Sequence, residues 1–184
     1  MRTTHLVRPV LFAALTAIGA FLKIQIPVEG IPAITLQFFF TAMAGVLLGA
    51  KYGAISQAVY VLLGLVGLPI FTMGGGFSYV LQPSFGFLVG LIPSAWVIGM
   101  LCKNAKSFWP MALGILAGLA VLYLIGTPYM GLILNLYLGK GMSVWQIVRA
   151  GCLLYLPGDV LKIVVCTALC LALRSRLPKA LAAA

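Results

Sequence analysis

This chain reads as an all-α membrane protein with six transmembrane helices and cytoplasmic N- and C-termini. Composition carries the first part: 63% of the 184 residues are hydrophobic and only 8% are charged, where soluble domains carry roughly 25% charged residues. The apolar residues fall in runs of about bilayer length, and at about 20 residues per crossing the chain has room for six. Apart from Lys23 and Lys162, the basic residues flank those runs, as topology signals do. No stretch is polar enough to form a soluble domain, so residues 1–184 read as a single integral membrane unit.

The elements follow in order. Residues 7–26 form the first span. Arg2 and Arg8 ahead of it resemble the start of a signal peptide, but more spans follow, so an uncleaved helix is expected. Pro27-Val28-Glu29-Gly30-Ile31-Pro32 breaks it, and Glu29 there reads as a solvated loop residue. The second span covers residues 35–48 and the third 54–68, joined by a basic turn at 49–53. A loop over 69–79 holds Gly74-Gly75-Gly76 among Phe71, Met73, Phe77 and Tyr79. The fourth span covers 81–101 and the fifth 110–125. Gly126-Thr127-Pro128 is expected to break or kink the chain. Residues 129–138 are too short to cross a bilayer and read as an interfacial helix. Residues 142–155 lead into the last span, 157–173.

Charge sets the orientation. Arg2, Arg8, Lys51, Lys103, Lys106, Arg174, Arg176 and Lys179 fall on one side, against Lys140 and Arg149 on the other. The positive-inside rule makes the first side cytoplasmic. Asp159, the triple glycine and Glu29 then share the extracytoplasmic side, so three loops converge on one mouth. The net charge of +10 is a topology signal here and does not indicate nucleic acid. Four cysteines without a C-x-x-C, and His5 as the single histidine, give no zinc or redox motif. Cys166 and Cys170 read as small buried residues at a helix contact.

Asp159 and Lys162 are the residues that call for function. An ionisable residue in a hydrocarbon-length run faces a cavity or a partner. Three residues of helix turn about 300°, so the two share a face. Pro157 suits the first helical turn, and Asp159 lies at the positive end of the helix dipole. The pair is either a donor and acceptor set for a ligand or a structural ion pair. Thr35 and Gln37 lie near the outer end of the second span, and a buried Gln both gives and accepts hydrogen bonds, as an amide or ureido group requires. Gln82 and Ser84 are similar candidates. Gly74 and Gly75 allow close backbone approach to a ligand, with Phe71, Met73 and Tyr79 to enclose a fused ring, or they form an ordinary turn. No Lys-Ser/Thr follows the glycines, so this is no Walker loop, and uphill transport would need a partner or an ion gradient. Ala13, Thr16, Ala17 and Ala20 place small residues on one stripe of the first span, for internal packing or for docking another subunit.

Three strings, in their order and spacing, carry a resemblance over nearly the whole chain. They are Ile34-Thr35-Leu36-Gln37, then Gly64-Leu65-Val66-Gly67-Leu68-Pro69-Ile70-Phe71, then Pro157-Gly158-Asp159-x-x-Lys162. The chain resembles the BioY family, the biotin-specific S components of energy-coupling factor (ECF) transporters. The resemblance implies a six-helix S-component fold in the prokaryotic cytoplasmic membrane and high-affinity capture of biotin near the outer face. It implies a transmembrane coupling subunit and two cytoplasmic ATPases as partners, with ATP used by those subunits and no cofactor in this chain. It also implies ligand contact by Asp159 and Lys162, a cover formed by residues 27–33, and docking through Ala13 and Ala17. Where the family usually reads Gly-Pro-Thr-Gly-Gly-Tyr, this chain has Gln82-Pro83-Ser84-Phe85-Gly86-Phe87. A solo or ion-coupled vitamin transporter is the alternative. A membrane enzyme would show clustered acids, histidines or metal ligands, and two acids far apart do not supply that.

Overall fold

The computed structural model of the chain describes residues 4–24 and 31–176, with side chains from residue 7 onward. Helix α1 spans Thr4–Phe21. It ends before the expected residue 26, and Lys23–Ile24 (β1) pairs antiparallel with Ile34–Thr35 (β2). Lys23-Ile24-Gln25-Ile26 alternates polar and apolar, a strand period that hydropathy alone reads as more span. Glu29 and most of the expected cover lie outside the described residues.

Helix α2, Gln37–Leu65, holds the second and third spans. Gly49 breaks it with φ 78° and ψ 176°, a backbone that glycine adopts without a Cβ penalty. The two arms fold back on each other. Gln37 Nε2 donates to Tyr60 Oη at 2.8 Å, although a straight helix would set those residues about 34 Å apart. The arms touch where Gly53 meets Gly45: a Cβ on Gly53 would lie 3.0 Å from the Gly45 Cα. The turn therefore sits where the sequence places it, but it uses a single residue.

A 3₁₀ turn at Phe77–Leu81 precedes α3, Phe85–Leu101, so the fourth span begins four residues later than expected. Helix α4, Phe108–Leu132, passes through Pro128 without ending and continues as a wide π turn over Ile133–Tyr137. This corrects two expectations, a fifth span ending near 125 and a separate interfacial helix at 129–138. Pro128 removes a hydrogen bond on the face that carries Leu124, which is 73% exposed. The opposite face is held by Met130 and Leu134, which pack on Ile147 and Ala150, and this packing keeps the helix running. Asn135 closes the next turn by donating to Met142 O and accepting from Met142 N, at 2.8 and 2.7 Å. A Ser143–Gln146 capping box starts α5, Val144–Val148. A π turn over Arg149–Leu153 then leads into α6, Leu156–Arg176.

The rods α1, the two arms of α2, α3, α4 and α6 form the bundle. Helix α2 packs on α1 and α3, α3 packs on α4, and α6 lies against α4 and α2. Phe12, Met43, Tyr60, Leu91, Ile98, Met111 and Ile115 fill the core. Leu62, Leu113, Trp109 and Leu161 point outward, as lipid-facing residues do. By length and composition three helices can cross a bilayer, Gln37–Leu65, Phe108–Tyr137 and Val144–Arg176; Val7–Phe21 and Phe85–Leu101 are shorter apolar helices. The chain is a mostly helical membrane protein.

The two ends of the bundle differ. At one end the Arg174 guanidinium donates to Cys102 O, Ala105 O and Val46 O at 2.9, 3.1 and 2.5 Å, joining α6 to the ends of α3 and of the first α2 arm. The starts of α2, α3 and α6 share the other end. Gly49 and Gly158 separate strain from space: nothing lies within 4 Å of a Cβ on Gly158, and its φ is not positive. Gly49→Ala is expected to lose about 1–2 kcal/mol of stability, whereas Gly158→Ala stays near wild type, as thermal unfolding in detergent would read.

Candidate ligand-binding site

The helix starts leave a cleft of about 640 Å³, measured out to its open mouth. One wall is polar and is built on α6. Leu156 and Pro157 begin that helix and place Asp159 in its first turn, where the dipole stabilises an anion. Asp159 is only 4% exposed. Lys162, one turn on, donates to Oδ1 at 2.7 Å, and the Tyr123 hydroxyl of α4 donates to Oδ2. Each carboxylate oxygen keeps a further lone pair, and the Lys162 ammonium keeps two further donors. The wall is a charge pair held in place that still has unused hydrogen-bonding capacity.

A second polar group stands at the start of α2. Gln37 Oε1 accepts from the Thr35 hydroxyl at 3.0 Å, and its amide donates to Tyr60, whose hydroxyl donates on to Ile70 O at 3.1 Å. One amide hydrogen of Gln37 is left over. Beneath it, Thr41 donates to Gln57 Oε1, and Gln57 donates to Thr16 of α1 and to Ser56. A third group joins the Tyr79, Thr72 and Ser84 hydroxyls, at 2.8 and 3.2 Å. Phe38, Phe87, Leu88, Leu91 and Leu122 supply the apolar faces. Pro32 and Ala33 form the rim, tied to the turn just before α6 by the Tyr155 hydroxyl, which donates to Pro32 O at 2.5 Å. The arrangement suits a flat, uncharged ring system edged with N–H and C=O groups.

Of the residues singled out in the sequence, Asp159, Lys162, Thr35, Gln37, Tyr79 and Ser84 line the cleft. The structure places the others elsewhere. Phe71 is 1% exposed and stacks behind Tyr79, with ring centroids 4.7 Å apart. Met73 is 66% exposed and away from the wall. Gly74 bridges to Phe71, Gly75 packs beneath the Leu68 carbonyl, and Gly76 N donates to Gly64 O at 2.7 Å. The close approach these glycines allow is to the end of α2 and not to the cleft. Gln82 is half-buried outside the lining. Ala13 and Ala20 are buried within the chain, and Ala17 is half-buried. Their stripe seats α1 on α2, where a Cβ on Gly19 would collide with Leu36 and Phe40. In this conformation Ala13 and Ala20 do not form an outward docking face. Tyr123, Tyr155 and Thr72 were not singled out for the cleft, and Phe87, from the string that departs from the family pattern, also lines it. Tyr123 had one available signal, a hydroxyl-bearing ring in the middle of an apolar run.

Removing Lys162 leaves a nearly buried carboxylate without its cation. Lys162→Met is expected to cost about 3 kcal/mol, and Tyr123→Phe about 1–2 kcal/mol. Asp159→Asn combined with Lys162→Met should recover much of the first loss in thermal unfolding. A double variant no more stable than Lys162→Met would show that the loss does not come from an unpaired Asp159.

Comparison with known proteins gives the family and the fold. The profile of the BioY family matches residues 1–179. A probable biotin transporter BioY from Lysinibacillus sphaericus is 45% identical over 143 residues, covering 77% of this chain and 71% of the relative. The biotin transporter BioY of Thermotoga maritima is 36% identical over 172 residues, covering 92% and 95%. The crystal structure of the S-component for biotin from an ECF-type ABC transporter superposes with a TM-score of 0.81 at 27% identity, covering 95% of this chain and 92% of that one. A cleft built on Asp159 and Lys162, a profile match over almost the full length and a shared backbone lead to one statement: this chain belongs to the BioY family.

Proposed function

We propose that this protein captures biotin in the cleft at the helix starts, from the extracytoplasmic side of a prokaryotic cytoplasmic membrane. It passes the vitamin inward together with an ECF coupling subunit and ATPases. The observation that carries the ligand is the trio Asp159, Lys162 and Tyr123 beside an apolar slot. The ureido N–H groups of biotin donate to the free lone pairs of Asp159, in bonds strengthened by its charge. The remaining Lys162 donors, or the spare Gln37 hydrogen, meet the ureido oxygen. The fused rings pack on Phe87, Leu88 and Leu122, and Pro32 and Ala33 stand over the mouth.

The orientation follows from charge. Lys51, Lys103, Lys106, Arg174 and Arg176 gather at the end away from the cleft, so that end is read as cytoplasmic and the six rods as six crossings. The outward face of α1 carries Val10, Leu11, Ala14 and Ile18. A coupling subunit docking on α1 meets those residues, with Ala17 at the edge of the contact.

Calorimetric titration of the detergent-purified chain with biotin tests the ligand. Wild type is expected to bind tightly at one to one, and Asp159→Asn to lose on the order of a hundredfold in affinity. A folded wild type that ignores biotin sinks the ligand. Undiminished binding by the variant reduces Asp159 to a structural ion pair. Biotin uptake by vesicles holding this chain alone would favour a solo transporter over the ECF partnership.

A further inference from the structure

We propose that Lys23, at the mouth of the cleft, receives the anionic tail of the ligand. The inference rests on reading the ligand as biotin, a neutral bicyclic urea with an alkyl chain that ends in a carboxylate.

Two independent contacts put Lys23 at the rim. In the two-stranded ribbon Lys23 lies directly opposite Thr35. Cross-strand partners project from the same face of a sheet, and the Thr35 side is the cleft side. The Lys23 ammonium also donates to the backbone oxygen of Thr72. Thr72 lines the cleft and shares a hydrogen bond with Tyr79. Lys23 therefore pairs through its backbone with one lining residue and through its ammonium with another.

Charge gives the position its meaning. Lys162 is neutralised by Asp159, so the inner wall offers no net charge to an acid. A carboxylate drawn into an apolar bundle without a cation pays heavy desolvation. Lys23 bonds to a neutral carbonyl and has no carboxylate partner among the described residues. Its ammonium has three donors, and Thr72 takes one. It is exposed while Asp159 is buried, so the two charged positions mark the outer and inner ends of one path. The urea goes to the buried end, and the chain runs outward to Lys23.

Biotin and its methyl ester differ in the tail charge and little else. Titrating both into wild type, Lys23→Gln and Lys23→Arg separates the possibilities. Wild type is expected to prefer the acid by about tenfold or more. Lys23→Gln, which keeps a donor for Thr72, should weaken acid binding and leave ester binding unchanged. Lys23→Arg should keep the preference, and rising salt should erode it. The proposal is overturned if wild type shows no preference or if Lys23→Gln retains it, since another group then reads the tail. It is also overturned if Lys23→Gln weakens acid and ester equally, since Lys23 then only fastens the ribbon to the loop. If folded wild type binds neither compound, the ligand reading fails, and this proposal fails with it.

Discussion

A carboxylate inside an apolar bundle is the constraint from which the rest of the site follows. Asp159 keeps its place because Lys162 and Tyr123 each satisfy one of its oxygens. Those partners come from different helices, so the charge fixes the spacing of α4 and α6 as well as its own rotamer. The start of α6 has to arrive beside the middle of α4, and the wide turn through Arg149–Leu153 brings it there. Arg174 then ties the far end of the same helix to α3 and α2. Helix α6 is anchored by polar bonds at both ends and by Ile163, Cys166, Thr167 and Cys170 between them. The Cys166 and Cys170 sulfurs lie 3.9 Å apart as free thiols, which suits the helix contact expected of them.

The other walls follow a related logic. The polar side chains that face the interior have protein partners before any ligand arrives, and several of those partners lie on another element. Gln37 spans the two arms of α2, Gln57 reaches α1, and Tyr155 holds the rim. Among the described residues no buried side-chain nitrogen or oxygen lacks a partner. A cleft of this kind changes little when it fills, because its donors and acceptors are already aimed. The apolar residues between them exclude water and strengthen each of those bonds.

How much of this was legible varied with the kind of signal. Asp159 and Lys162 stood out because a charge inside an apolar run has few bland explanations. Gln37 stood out for a similar reason at a span end. Tyr123 did not, because a tyrosine in a membrane helix is common and its partner is 36 positions away. The glycine run misled because nearby aromatics suggested a ligand, when the backbone it allows to approach is that of Gly64 and Leu68. Pro128 misled because local propensity favours a break, and the packing of Met130 and Leu134 overrules it. The alanine stripe defined a face of α1 correctly, but spacing does not say which neighbour that face meets. The ribbon was hidden because the short alternation at Lys23-Ile24-Gln25-Ile26 continues an apolar run and reads as more span.

The hairpin of α2 bears on how the chain enters the bilayer. Its arms carry Gln37, Thr41, Ser56 and Gln57, and an isolated arm would expose these groups to hydrocarbon. Folded at Gly49, the arms answer one another: Gln37 meets Tyr60 and Thr41 meets Gln57. The unit that partitions favourably is therefore the closed pair and not the single helix. Gln57 also reaches outside the hairpin, donating to Thr16 of α1. Helix α1 and the closed hairpin therefore share one buried polar network.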